Sequence, residues 1–183
     1  TKYDYRFGRG TWSWILWQDG SINYDDQVRY IDFAAAMGYE YALIDNWWDT
    51  NIGRDRMKFL VKYARSKGVE LFLWYSSSGY WNDIEQGPVN HMDNAIIRKR
   101  EMKWLQSLGV KGIKVDFFGG DKQETMRLYE DILSDADDHG RQHERADADD
   151  RGESGALDAR GLGPVDTSDA SVPSRRQALI AAP

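Results

Sequence analysis

Four stretches of the chain carry apolar residues at helical spacing and stop at a glycine. After each of the first three, a short β-rich run follows within one to three residues. The first predicts a helix over Tyr24–Met37, with Asn23 as N-cap and Asp25 and Asp26 in its first turn. Val28, Ile31 and Ala35 share its apolar face and Gly38 stops it. The run Tyr41–Ile44 then reads as a strand. A second helix, Arg54–Lys67, aligns Met57, Leu60, Val61 and Ala64, carries Lys62, Arg65 and Lys67 near its end, and stops at Gly68 before a strand over Val69–Tyr75. A third, Asn94–Leu108, aligns Ile97, Trp104, Leu105 and Leu108, stops at Gly109 and leads into Gly112–Phe117. A fourth, Lys122–Ala136, aligns Met126, Tyr129, Ile132 and Leu133 and ends near Gly140. With an initial strand over Gly10–Leu16, the order is β-α-β-α-β-α-β-α. Alternation of this kind implies α/β architecture, with parallel strands joined by right-handed crossovers. A closed parallel (β/α) barrel of TIM type takes about 250 residues, so four units account for roughly its first half.

Composition divides the chain at about residue 140. All 24 aromatic residues lie between Tyr3 and Tyr129, whereas residues 141–183 have no aromatic and no Lys, but six Arg and eight Ala. Such a segment offers little apolar surface against the entropy of ordering, so 141–183 reads as a disordered, low-complexity tail and 1–140 as the folded part. After Gly140 the glycine-stop phase calls for a fifth strand, but Arg141-Gln142-His143-Glu144-Arg145-Ala146-Asp147 does not supply one. The expectation is therefore that the native continuation is absent, through truncation or a shifted reading frame. The opening at Thr1 rather than Met leads to the similar expectation of a processed chain or a fragment.

A net charge of −6 argues against nucleic acid or an anionic membrane surface as partner, because both recruit clustered Lys and Arg. No apolar run approaches the roughly 18 residues that span a bilayer. The absence of Cys removes disulfides, thiolate metal sites and Cys nucleophiles.

In parallel α/β folds, ligands meet the carboxyl ends of the strands. Those ends supply Trp12, Trp14, Trp17 and Asp19, then Asp45, Asn46, Trp47 and Trp48, then Trp74, Tyr75 and Ser76 to Ser78, and finally Lys114 and Asp116. Period-two alternation puts Gly112, Lys114 and Asp116 on one face and Ile113, Val115 and Phe117 on the other. The Lys and Asp then project into the barrel mouth, where an ammonium beside a carboxylate favours the ionised nucleophile. A buried structural ion pair would share this pattern. Asp45 follows Tyr41 and Leu43 on one face and reaches the same mouth. Carboxylate and amide groups beside indoles suit a polyhydroxylated ligand, although individual Trp residues can equally cap a core.

Other motifs carry less. His91, His139 and His143 lack metal spacing, Ser76 to Ser78 lack a nucleophile elbow, and Asp121 would repel a phosphate at Gly119-Gly120. Asp147-Ala148-Asp149-Asp150-Arg151-Gly152 puts Arg151 at a ligand position of a calcium loop and Asp158 where the closing Glu belongs.

The stretches Gly10-Thr11-Trp12-Ser13-Trp14, Asp32 to Asp49, Gly68 to Ser78 and Met102 to Gly120 resemble the catalytic barrel of glycoside hydrolase family 97 over residues 8–140. The resemblance implies a retaining, α-galactosidase-like exo-α-glycosidase, with Asp116 as nucleophile and Lys114 and Asp45 hydrogen-bonding sugar hydroxyls. Asn46, Trp47, Trp48, Trp14 and Trp74 would complete the substrate-binding set. It also implies a calcium ion near the site, held mainly by Glu residues outside the recognisable segments, so no metal ligand is assigned in this chain. A secreted or periplasmic bacterial location and an oligosaccharide or other α-glycoside as partner follow in the same way. The acid/base Glu of the family comes from a later strand, and neither Glu144 nor Glu153 stands in such a context, so the chain alone is expected to be inactive. The competing expectations are an α-glucosidase of the same family, a non-catalytic carbohydrate-binding fragment, and an unfolded or aggregating half barrel with an open sheet edge.

Overall fold

The computed structural model describes residues 7–79, 83–137 and 179–181. The strands β1 (Gly10–Trp12), β2 (Tyr41–Ile44), β3 (Glu70–Ser76), β4 (Gly112–Asp116) and β5 (Leu179–Ala181) form one sheet in the order β1-β2-β3-β4-β5. Every pairing is parallel, and sequential strands are neighbours. Between them run α1 (Trp14–Trp17), α2 (Tyr24–Ala36), α3 (Trp48–Asn51), α4 (Arg54–Ser66) and α5 (Ala95–Leu108), and residues 123–137 form α6. The fold is α/β, with four consecutive β-α units of the parallel barrel type. The proposed boundary at residue 140, with the histidines and Glu residues just beyond it, lies outside the described residues. Of the segment 141–183, only β5 is described, paired with β4 from Ile113↔Leu179 to Val115↔Ala181.

Local chemistry explains why the helices sit where the glycine-stop pattern put them. Asn23 caps α2 by accepting from the Asp26 N–H at 2.9 Å, and Asn94 caps α5 by accepting from Ile96 and Ile97. Gly109 ends α5 at φ 80°, a left-handed conformation that only glycine adopts without strain.

Alternation then divides each strand between two surroundings. Ala42 and Ile44, Leu71, Leu73 and Tyr75, and Ile113 and Val115 join a single core cluster with Ile31 and Ala34 of α2, with Met57, Leu60, Val61 and Ala64 of α4, and with Met102 and Leu105 of α5. Each large aliphatic side chain buried there contributes about 1.5–3 kcal/mol, which is what holds the helices to the outer face. The alternate residues lie outside that cluster, on the inner face. Tyr41 meets Phe72 edge-on there, with centroids 5.0 Å apart. Trp74 stands beside Lys114, and Ser76 beside Asp116.

Three features depart from the sequence reading. Strand β1 ends at Trp12 rather than Leu16. Ser13 adopts helical backbone angles, and its buried hydroxyl accepts from Ser21 Oγ at 2.9 Å and Gln27 Nε2 at 3.0 Å, which turns the chain away from the sheet. Ile15, Leu16 and Trp17 are consequently exposed. Phe117 does not continue the outer face with Ile113 and Val115. Its φ of 61° accompanies an N–H bond to Asp116 Oδ1 at 2.9 Å, and its ring swings edge-on to Trp74 at 5.8 Å. Finally, the buried stripe of α5 includes Arg98 and Glu101 beside Met102 and Leu105.

Candidate active site

The carboxyl ends of β2 and β4 bring three charged side chains together. Lys114 is 6% exposed, and its Nζ lies 3.3 Å from Asp45 Oδ2 and 3.6 Å from Asp116 Oδ2. The same ammonium stands 4.2 Å above the centroid of the Trp12 ring, a cation–π contact on its remaining side. The face assignment of Lys114, Asp116 and Asp45 made from alternation therefore agrees with the structure.

The two carboxylates are held differently. Asp45 is 3% exposed and accepts at both oxygens. Asn46 N–H donates to Oδ1 at 2.8 Å, while Trp12 Nε1 at 2.5 Å and Lys114 converge on Oδ2. Burial pushes its carboxyl above the usual carboxylate range, against the Asn46 N–H, the Lys114 charge and the Trp12 N–H. Asp116 has a side chain 22% exposed and, among the described residues, accepts only the Phe117 N–H besides its ion pair with Lys114. Its backbone carbonyl accepts from Ser77 N–H at 2.8 Å, which fixes the end of β4 against β3.

Around this group, Trp12 and Trp14 stack with centroids 5.9 Å apart and planes 18° from parallel. Trp14 Nε1 donates to Asp19 Oδ1 at 2.8 Å, and Asn46 Nδ2 donates to the same oxygen at 3.0 Å. Asn46 is buried, and its Oδ1 has no partner among the described residues. Trp12 and Asp19 belong to the same constellation although they were not in the expected substrate-binding set. Their place in the strand-end grouping was the only signal for them.

The remaining indoles are not all at the mouth. Trp48 is 0% exposed, stacks on Trp104 at 5.9 Å, meets Tyr75 edge-on and donates from Nε1 to the Trp74 carbonyl at 2.8 Å. It is a core residue behind the sheet, which corrects the expectation that it binds substrate. Trp47 adopts φ 63°, and this left-handed step is what sends its neighbour backwards. Trp47 itself is partly exposed, with its N–H bonded to the Gly87 carbonyl at 2.7 Å. Trp74 is on the inner face but only 2% exposed, with Phe117 against it. Ser76, the last residue of β3, and Ser77 and Ser78 after it are buried.

Behind the site, Glu101 gathers a second polar group. Its Oε1 accepts from Tyr75 OH at 2.6 Å and from Arg54 at 2.7 Å, and His91 Nδ1 lies 3.4 Å from Oε2. Burial raises the Glu101 carboxyl, but the contacts from His91, Tyr75 and Arg54 outweigh it, and the net direction is down. Burial and the adjacent Glu101 charge push the Tyr75 phenol well above its ordinary value.

A calcium site needs several convergent oxygens with no competing cation. Among the described residues no three Asp, Glu or His side chains converge in that way, and the Lys114 ammonium occupies the position between Asp45 and Asp116. These residues do not fit the ion, and no chemical step is routed through it. No helix among the described residues is long and apolar enough to cross a membrane.

The sequence profile described as Glycoside hydrolase 97 matches residues 8–143. A probable retaining alpha-galactosidase of Streptomyces bingchenggensis is 30% identical over 146 residues, covering 70% of this chain and 20% of that protein. A retaining alpha-galactosidase of Bacteroides thetaiotaomicron is 35% identical over 134 residues, covering 64% and 18%. The chain thus spans about a fifth of the length of these curated relatives. Among solved structures, a beta-arabinopyranosidase is 94% identical with a TM-score of 0.74, over 76% of this chain and 22% of that one. An alpha-galactosidase from Thermus thermophilus, solved in complex with stachyose, is 20% identical with a TM-score of 0.52, over 70% and 38%, and shares the fold alone.

Proposed function

The chain belongs to glycoside hydrolase family 97, and from that premise we propose that its site is the nucleophile half of a retaining exo-glycosidase acting on terminal β-L-arabinopyranosyl or α-D-galactosyl residues. The observation that carries the reading is the placement of Lys114 between a buried Asp45 and a more open Asp116 at the strand ends.

The two candidate sugars are one stereochemical problem. A β-L-arabinopyranoside has the ring configuration of an α-D-galactopyranoside and lacks only its C6 hydroxymethyl group. The 94% identity to a beta-arabinopyranosidase favours the pentoside as the preferred substrate, and the more distant relatives favour the galactoside. The α-galactosidase-like expectation is therefore broadened to include the sugar without C6.

In the proposed reaction, a lone pair of Asp116 attacks the anomeric carbon. The glycosidic C–O bond breaks with its electron pair moving to the leaving oxygen, and a covalent glycosyl ester forms. Water then hydrolyses the ester with a second inversion, giving net retention. Lys114 and Asp45 hydrogen-bond ring hydroxyls, and the Trp12–Trp14 pair offers an apolar surface to the C–H face. Protonation of an ordinary leaving oxygen needs a second carboxyl group, and none of the described residues is assigned that role.

The test follows from this division. A fluorinated β-L-arabinopyranoside with a dinitrophenolate leaving group departs without protonation, so it isolates the nucleophile step. We expect a covalent adduct that peptide mass spectrometry places on Asp116, none with Asp116→Asn, and no turnover of an unactivated glycoside by this chain. Adduct on another residue, or none in the unsubstituted protein, would overturn the proposal.

A further inference from the structure

A carboxylate at the rim, outside the Asp45–Lys114–Asp116 group, is held by two donors that both belong to the site. Asp19 lies in the tight turn Gln18–Ser21 after α1, and its Oδ1 accepts from Trp14 Nε1 at 2.8 Å and Asn46 Nδ2 at 3.0 Å. An ionised carboxylate can only accept, so this contact selects one orientation of the Asn46 amide, with the NH₂ toward Asp19 and the carbonyl away from it. That carbonyl oxygen is buried, on a residue 5% exposed, and has no partner among the described residues. A buried acceptor in this state is unfavourable until a donor reaches it.

We propose that Asp19 is a positioning residue for sugar recognition: it spans the tips of β1 and β2, fixes the Asn46 amide so that its Oδ1 faces an incoming ring hydroxyl, and holds the Trp14 indole against Trp12. The ligand class rests on the glycosidase reading above, whereas the orientation of the amide and indole rests on the hydrogen bonds alone. Asp19 acts here through Asn46 and Trp14 and needs no sugar contact of its own. A carboxylate that merely stitched the turn Gln18–Ser21 would influence stability without changing the affinity of folded protein for sugar.

The experiment uses the ¹⁵N-labelled chain and titration with methyl β-L-arabinopyranoside, for the unsubstituted protein, Asp19→Asn, Asp19→Ala, Asn46→Leu and Asp19→Ala/Asn46→Leu. Asparagine keeps an acceptor oxygen in place of Oδ1; alanine has none. Asp19→Ala is expected to speed solvent exchange of the Trp14 indole N–H and the Asn46 side-chain amide and to weaken sugar binding about tenfold, with Asp19→Asn recovering most of both. Asn46→Leu should weaken binding to a similar extent, and the double variant should be little worse than either single one, because the two act as a unit. Additive losses in the double variant, or sugar affinity in Asp19→Ala equal to that of the unsubstituted protein, would overturn the proposal. If the unsubstituted chain takes up no sugar, the glycosidase reading loses its ligand. In that case the positioning role falls with it, whereas unchanged exchange in Asp19→Ala would refute the hydrogen-bond premise by itself.

Discussion

Replacing Lys114 by methionine is the most direct perturbation of the charge arrangement. Methionine retains most of the aliphatic stem and removes the ammonium, leaving Asp45 and Asp116 without the cation between them. The gross attraction at the 3.3 Å contact is about 5 kcal/mol at an effective dielectric constant near 20, and the contact to Asp116 at 3.6 Å adds a comparable amount. Much of this is offset by the cost of desolvating a lysine only 6% exposed. Breaking a buried pair by deleting one partner costs about 3–5 kcal/mol, and the lower end applies here because Asp45 keeps its bonds from Trp12 and the Asn46 N–H. The expected loss for Lys114→Met is therefore about 3 kcal/mol at pH 7, read from urea midpoints at constant slope. The loss should shrink as pH falls, because protonating the stranded Asp45 removes its uncompensated charge. Asp45→Asn in the same background should recover part of the stability at neutral pH. A loss under about 1 kcal/mol at pH 7, or one independent of pH down to 4, would refute the claim that Lys114 is the counter-ion of a buried Asp45.

The group behind the sheet makes a separate claim about pH. The folded-state pKa of Glu101 lies below its unfolded value of 4.5, so its contribution is fully present above that pH and is lost as pH falls through the folded-state value. Thermal unfolding of Glu101→Gln should show about 2 kcal/mol less stability at pH 7, with the gap closing below about pH 4.5; a gap that persists or widens in acid would contradict this. Trp48→Ala should cost about 3–5 kcal/mol by urea titration while leaving sugar affinity at full folding unchanged, which separates this core indole from the Trp12–Trp14 pair.

Sequence made most of the scaffold legible, for a local reason. An apolar stripe, a stop glycine and a β-rich run are each encoded within a few neighbours, and β2, β3, β4 and the long helices lie within a residue or two of their expected bounds. Strand alternation likewise placed Asp45, Lys114 and Asp116 on one surface. The failures came from contacts made over long sequence separations or from single backbone torsions. Strand β1 is short because Ser13 is bonded to Gln27, 14 residues away. Trp48 faces the core because Trp47 takes a left-handed step that a tetrapeptide motif does not announce. Arg98 and Glu101 stand outside the apolar positions aligned along α5 in sequence, but Asp135 and Arg54, at separations of 37 and 47, make their burial tolerable.

The contrast between Asp45 and Asp116 also bears on which carboxylate does what. A carboxyl raised by burial is the usual signature of a general acid, and Asp45 has that shift. Its surroundings argue the other way. Both of its oxygens already accept from N–H groups, so a proton on either would face a donor rather than a leaving oxygen, and Lys114 would lose the nearer of its two carboxylate partners. Asp45 is thus equipped to stay an acceptor, suited to orienting Lys114 and accepting hydrogen bonds from hydroxyls. Among the described residues, Asp116 accepts a single backbone N–H besides its ion pair with Lys114 and retains exposed surface at the strand end, which fits the nucleophile proposed for it. Two carboxylates sharing one lysine therefore do not make an acid–nucleophile pair. The proton donor of a retaining mechanism must come from a residue that faces Asp116 across the sugar, at about 5–5.5 Å, without Lys114 between them.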